Sequence, residues 1–255
     1  FGLSMDFEDL AGNAVVSEHA WKVMPPVGVP DHVTIEGNAP RDAFPTAFVD
    51  DRTGVRFLIV ESGESAARYL AETEVTCGQW LAMLDAALAS PDSADDRAVL
   101  TKKKAGFERF NRKSGPVDDP VQPQGRISWE SADVVSRCVG YELPTIELWA
   151  LACRSGMPAS AEFGCPEASI DEYAVYGKGS PSAVKQKRPN GGGFYDMHGN
   201  LWEWCSDSCV QIGGSYLSRR PELLSIYSRN TVARTTVNEE PYGFRPAMTL
   251  ERTSD

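Results

Sequence analysis

Tyr195-Asp-Met-His-Gly-Asn-Leu-Trp-Glu-Trp-Cys-Ser-Asp207 is the stretch whose reading decides the fold. Gly199-Asn200 is a turn signal, because both residue types tolerate left-handed backbone. Beyond the turn, Trp202 and Trp204 flank Glu203. Side chains alternate along a strand, so both indoles fall on one face and the carboxylate on the other. Two tryptophans on one face are a large apolar payload and read as core. Asn200 and Glu203 place two oxygen donors close together, a pair suited to a hard cation such as calcium. The plainer alternative has Asn200 holding its own turn and Glu203 accepting backbone N–H groups. His198 beside the turn reads as a hydrogen-bonded structural histidine rather than a ligand or base.

Upstream of this stretch the pattern is mixed. Residues 1–54 carry Pro25-Pro26, Pro30, Pro40 and Pro45, which break any long helix. They read as an extended N-terminal arm with one short helix before Met24. Val55 to Val60 is β-rich and reads as a strand, and Arg68 to Val75 as a second. Thr76 opens a helix, with Gln79 three residues on completing a capping-box pattern. Trp80, Leu81, Leu84, Ala87 and Leu88 share one of its faces. Residues 91–126 are charged and proline-bearing, and read as a long loop with a single helical turn. Lys102-Lys103-Lys104 within it reads as a solvated face. Ser128 and Thr145 cap two more helices, ended by Gly140 and Gly156. Short strand-like runs then alternate with Gly, Asn, Ser and Pro. Two or three helices, short antiparallel strands and much irregular structure make the class α+β.

Composition narrows the function. The 255 residues hold 36 acids and 25 bases, a net charge of −11. A general nucleic-acid binder would need a basic face, so nucleic acid is not an expected partner. No apolar run approaches the ~20 residues of a membrane helix. The start at Phe1 is read as the mark of a removed upstream segment, so a longer polypeptide is expected. Six cysteines (77, 138, 153, 165, 205 and 209) show neither CxxC nor zinc spacing. They read as buried free thiols, with Cys205–Cys209 pairing left open for an oxidising compartment.

Further segments accompany the Trp-Glu-Trp run in a fixed order: Tyr69 to Thr76, Ile127 to Ala132, Leu143 to Arg154, Asn190-Gly191, Gly213-Gly-Ser-Tyr216 and Gly243-Phe-Arg245. Together they resemble the formylglycine-generating-enzyme, or sulfatase-modifying-factor, family over roughly residues 55–248. The resemblance implies a C-type-lectin-like fold in one elaborated domain over 55–250. It also implies a structural calcium site at Asn200 and Glu203, while the family's other calcium loop looks shortened at Tyr173–Ser182. Family oxidases hold copper on two cysteines, about two and seven positions beyond the tyrosine of Gly-Gly-Ser-Tyr. Those positions here are Ser218 and Leu223, so copper is not expected and no catalytic residue is assigned.

What the resemblance then implies is a binding scaffold. The stretch after Tyr216 is rich in Arg, Tyr, Ser and Thr, the composition of adaptable contact surfaces. Tyr216, Ser218, Arg219, Arg220, Tyr227, Arg229, Asn230, Arg234 and Tyr242 are the expected contact residues, within a segment of about 212–245. Variable proteins diversified by retroelements form one branch of this fold. They mutate adenines of Asn codons, which never yields Lys, Gln, Glu, Met or Trp. From Ile212 to Ala247 those five types occur only as Glu222, Glu239 and Glu240. The net charge divides unevenly, at −12 over residues 1–180 and +1 over 181–255. A protein or glycan ligand at the C-terminal face is therefore the expected partner. A divergent oxidase and a regulatory module of a larger signalling protein are the alternatives.

Overall fold

The computed structural model describes residues 30–36, 43–90, 96–114, 119–158, 162–165, 169–207, 210–231, 233 and 241–252. The expected helix before Met24 lies outside them. Among the described residues the first sheet has five antiparallel strands in the order β1-β2-β3-β4-β9. These are β1 (Val33–Glu36), β2 (Ala47–Asp50), β3 (Val55–Ser62), β4 (Ala66–Ala71) and β9 (Ala247–Glu251). Its last strand comes from the chain's far end, so residues 66–71 and 247–251 are zipped together across most of the sequence. β1 and β2 are thus strands of the main sheet rather than part of an arm. Of the prolines that argued against structure, the described Pro30 and Pro45 sit outside the strands. Pro45 even contributes, its carbonyl accepting the buried Tyr69 hydroxyl at 2.8 Å.

The helices follow their caps. Thr76 and Gln79 form the reciprocal capping box at the start of α1 (Cys77–Ala89). Ser128 and Thr145 cap α3 (Trp129–Cys138) and α4 (Ile146–Arg154) through their hydroxyls. Between α1 and α3 the expected loop is instead the 18-residue helix α2 (Arg97–Ser114). Leu100 is fully buried, and Lys104 pairs with Asp85 of α1. Few apolar positions carry that helix, and the lysine run beside them masked the period. A fifth short helix, α5 (Ile170–Tyr173), precedes the motif region.

The second sheet has the order β7-β6-β5-β8. It comprises β5 (Trp202–Trp204), β6 (Val210–Ile212), β7 (Asn230–Thr231) and β8 (Tyr242–Gly243). One pair departs from the antiparallel expectation: β5 and β8 run parallel, Trp202 opposite Tyr242 and Glu203 opposite Gly243. Trp204 is fully buried with its indole N–H on the Ile127 carbonyl, 2.7 Å away. Trp202 is half-buried on the same side. Glu203 points the other way, as strand alternation requires.

Candidate functional site

Glu203 ends in a buried polar joint. Gly243 pairs with Glu203 in register, so Arg245 two residues on returns to the same face. Its Nε and Nη2 each meet a Glu203 oxygen at 2.7 Å, a two-point carboxylate–guanidinium clamp. The remaining donors reach the carbonyls of Ala71, Glu72 and Tyr195. Trp149 donates its indole N–H to Glu203 Oε2 at 2.7 Å. Both members of the pair are essentially fully buried. Glu74 extends the joint. It accepts the Leu201 N–H at 2.7 Å and the Asn200 amide at 2.6 Å. Burial, then the charges of Asp196 and Glu203, hold its carboxyl well above the ordinary range.

The turn before β5 is set by steric necessity. Gly199 has φ +83°, and a Cβ there would stand 2.1 Å from the Val175 carbonyl oxygen. Asn200 follows at φ +56°, a conformation asparagine tolerates. Its Oδ1 accepts the Ser182 N–H at 3.0 Å. Glu203 and Asn200 therefore do not fit a calcium ion. Glu203 is neutralised by Arg245 rather than aimed at a vacancy, and each side-chain oxygen already has a protein donor. Neither does the plainer alternative hold, since Asn200 braces Glu74 and Glu203 accepts side-chain donors. His198 does keep its structural role. Its Nε2 accepts the Gly164 N–H and its Nδ1 faces the Leu224 carbonyl, both at 2.9 Å. Burial lowers its pKa to about 4, so the ring is neutral.

Beyond Gly213-Gly214 the chain forms a shelf. Ser215, Ser218, Leu224, Ser225 and Ile226 point inward. Ser218 Oγ accepts the Ser215 N–H at 3.1 Å, tightening the turn. A 3₁₀ turn at Pro221–Leu224 follows, and its Leu224 packs over Gly214, where a Cβ would come within 2.6 Å of it. Outward stand Leu217, Arg219, Arg220, Leu223, Tyr227 and Arg229. Tyr227 is 56% exposed, and the Arg154 guanidinium lies 5.7 Å from its ring centroid.

Of the expected contact residues, Arg219, Arg220, Tyr227 and Arg229 are each exposed along this segment, with Tyr216 and Asn230 half-buried. Asn230 donates to Gln211 at 2.8 Å. Ser218 and Tyr242 are corrected out of the contact set. Ser218 is buried in its turn, and Tyr242 is 3% exposed with its ring against Trp204, 5.4 Å between centroids. Arg234 lies outside the described residues. Sequence reasoning missed Glu74, Leu223, Leu217 and Arg154 as parts of these sites. A buried acid within the motif Glu72-Thr-Glu-Val-Thr76 was the available signal for Glu74.

The sulfatase-modifying factor enzyme 1-like domain family matches residues 61–250, about three-quarters of the chain. The chain belongs to this family. The formylglycine-generating enzyme of Streptomyces coelicolor is 32% identical over 106 residues, covering 34% of this chain and 33% of that protein. The serine/threonine-protein kinase pkn1 of Chlamydia pneumoniae is 32% identical over 103 residues, covering 39% of this chain and 16% of the kinase. The chain's match thus spans a third or less of these relatives' own length. Among solved structures, Treponema denticola variable protein 1 superposes with TM-score 0.52 at 20% identity, covering 89% of this chain and 93% of that one. PvdO from Pseudomonas aeruginosa superposes with TM-score 0.51 at 18% identity, covering 87% and 89%. These likenesses show a shared α+β family fold.

On this family scaffold burial keeps the described thiols protonated. Burial pushes Cys77 and Cys165 up to about 11, and raises Cys153 and Cys205 as well. Cys205 and the other described cysteines are free, and all but Cys77 are buried. At the two positions where the family oxidases carry cysteine stand the buried Ser218 and the exposed Leu223.

Proposed function

We propose that the chain is a non-catalytic binding domain, C-type-lectin-like in kind, that contacts a protein or other ligand through the shelf at about 216–230. One observation carries this reading: Ser218, Leu224, Ser225 and Ile226 are pinned into the core while Arg219, Arg220, Leu223, Tyr227 and Arg229 face solvent. A backbone held from beneath can present many different side chains without refolding. That is the physical requirement of a diversifiable contact surface. Retroelement-diversified variable protein is the most concrete form of the proposal. The likeness to Treponema denticola variable protein 1 and the restricted residue types of Ile212–Ala247 support it. The match to a small part of a protein kinase favours a second form, a binding module within a longer signalling polypeptide.

Copper(I) titration of the full chain, before and after thiol alkylation, tests the non-catalytic reading. The expected result is no tight stoichiometric binding. Tight binding lost on alkylation would restore the oxidase reading instead. For the diversified form, the encoding genome should hold a near-identical copy of the shelf-coding segment differing only at adenines. A genome without one sinks that form.

A further inference from the structure

We infer that the shelf takes an acidic peptide segment of a partner protein, its carboxylates gripped by Arg154, Arg219, Arg220 and Arg229 and its apolar side chains set on Leu223 and Tyr227. This rests on the binding role proposed above and specifies the ligand.

The charge pattern points there. Arg52, Arg56, Arg68, Arg137, Arg188 and Arg245 each pair with a carboxylate of this chain. Among the described residues Arg154, Arg219, Arg220 and Arg229 form no ion pair within 4.0 Å, although the chain carries 36 acids against 25 bases. Two of the four arginines are close enough to feel one another. Burial lowers the Arg229 pKa, and the charge of Arg154 adds to the effect while Asp207 and Glu147 oppose it. Asp207 is engaged elsewhere, accepting the Ile146 N–H at 2.6 Å. Glu222 is the one described acid within the shelf itself. Arg154 is already oriented, its Nη2 3.4 Å from the Tyr227 hydroxyl, yet its Nε is buried with no hydrogen-bond partner. A carboxylate that closes on the guanidinium of Arg154 would form a charge-assisted pair.

The apolar residues choose among anions. Leu217, Leu223 and Tyr227 are 48%, 41% and 56% exposed. A sulfated glycan or nucleic acid would meet the guanidiniums and leave both leucines in water. A peptide brings carboxylates and apolar side chains on one backbone, which suits arginine and tyrosine as anchors.

The experiment uses the full chain, immobilised, against a displayed random library of peptides of about 12 residues. The expected outcome is an enriched pool of net-negative peptides that carry apolar residues. Their binding should weaken with salt and fall roughly tenfold or more in an Arg154→Ser/Arg229→Ser variant that melts like the parent. Enriched neutral or basic peptides would overturn the inference, as would binding indifferent to the arginine substitutions. If Tyr227→Ala and Leu223→Ala abolish that indifferent binding, the shelf stands and only its acidic ligand falls. If no shelf substitution matters, the binding role of the shelf falls too. An empty library alongside retention on heparin would replace the peptide with a sulfated glycan.

Discussion

The joint around Arg245 and the shelf around Tyr227 both gather arginines, and they treat them in opposite ways. Arg245 is fully buried, clamped by Glu203 and three backbone carbonyls, and neutralised where it stands. The shelf arginines are exposed or half-buried and have no carboxylate partner among the described residues. A charge that is matched inside the protein fixes architecture. Charges left unmatched at the surface are available to something else. The joint ties β4, β5 and the approach to β9 together, so its residue types cannot vary independently. On the shelf, only the inward-facing positions are so constrained.

Breaking the joint should have the largest effect. Arg245→Met leaves Glu203 buried without its counter-ion beside the buried Glu74, and should cost about 3–5 kcal/mol in urea unfolding. A loss under ~1 kcal/mol would mean the joint is not what holds the two sheets together. Next comes the underside of the shelf. Leu224→Ala removes a fully buried side chain packed on Gly214 and should cost about 2–5 kcal/mol. Its outcome tests whether the shelf is truly anchored from beneath.

Two buried titrating groups sharpen the contrast through pH. His198 has a folded pKa of about 4, below its unfolded 6.5, so the unfolded chain binds the proton first. Its contribution is complete above pH 6.5 and is lost as pH falls toward 4, by at most ~1.4 kcal/mol per unit. Asp196 is the reverse: burial pushes it up to about 6, so stability falls as pH rises from 3.8 to 6. Stability measured across that range should therefore lose slope in opposite directions in His198→Gln and Asp196→Asn. Parallel profiles would contradict the burial of both groups. The smallest effects belong to the shelf's outer side chains. Arg219→Ser and Tyr227→Ala should each shift stability by no more than ~0.5 kcal/mol.

The same contrast explains what could be read in advance. The capping residues Thr76, Ser128 and Thr145 act within a few positions, so sequence displays them directly. The Trp202–Glu203–Trp204 alternation is equally local. The pairing of Glu203 with Arg245 is not legible in the sequence, because the partner lies 42 residues away, a separation that no periodicity reveals. Likewise β1 and β2 are four residues each and gain their order from pairing, β1 with β2 and β2 with β3. Tyr242 looked like a surface anchor because tyrosine suits both settings, and only the parallel pairing of β5 with β8 buries it. The exposed arginines of the shelf were legible as a locally basic segment, but Arg154 reaches it from α4.

The central claim is that the scaffold stands independently of what the shelf displays. Its most direct test is a urea unfolding curve for one variant with Leu217, Arg219, Arg220, Leu223, Tyr227 and Arg229 all replaced by serine. The account predicts cooperative unfolding with stability within ~1 kcal/mol of the parent, since all six residues are exposed. A loss of ~3 kcal/mol or more, or a chain that no longer unfolds cooperatively, would contradict it and make these side chains part of the fold.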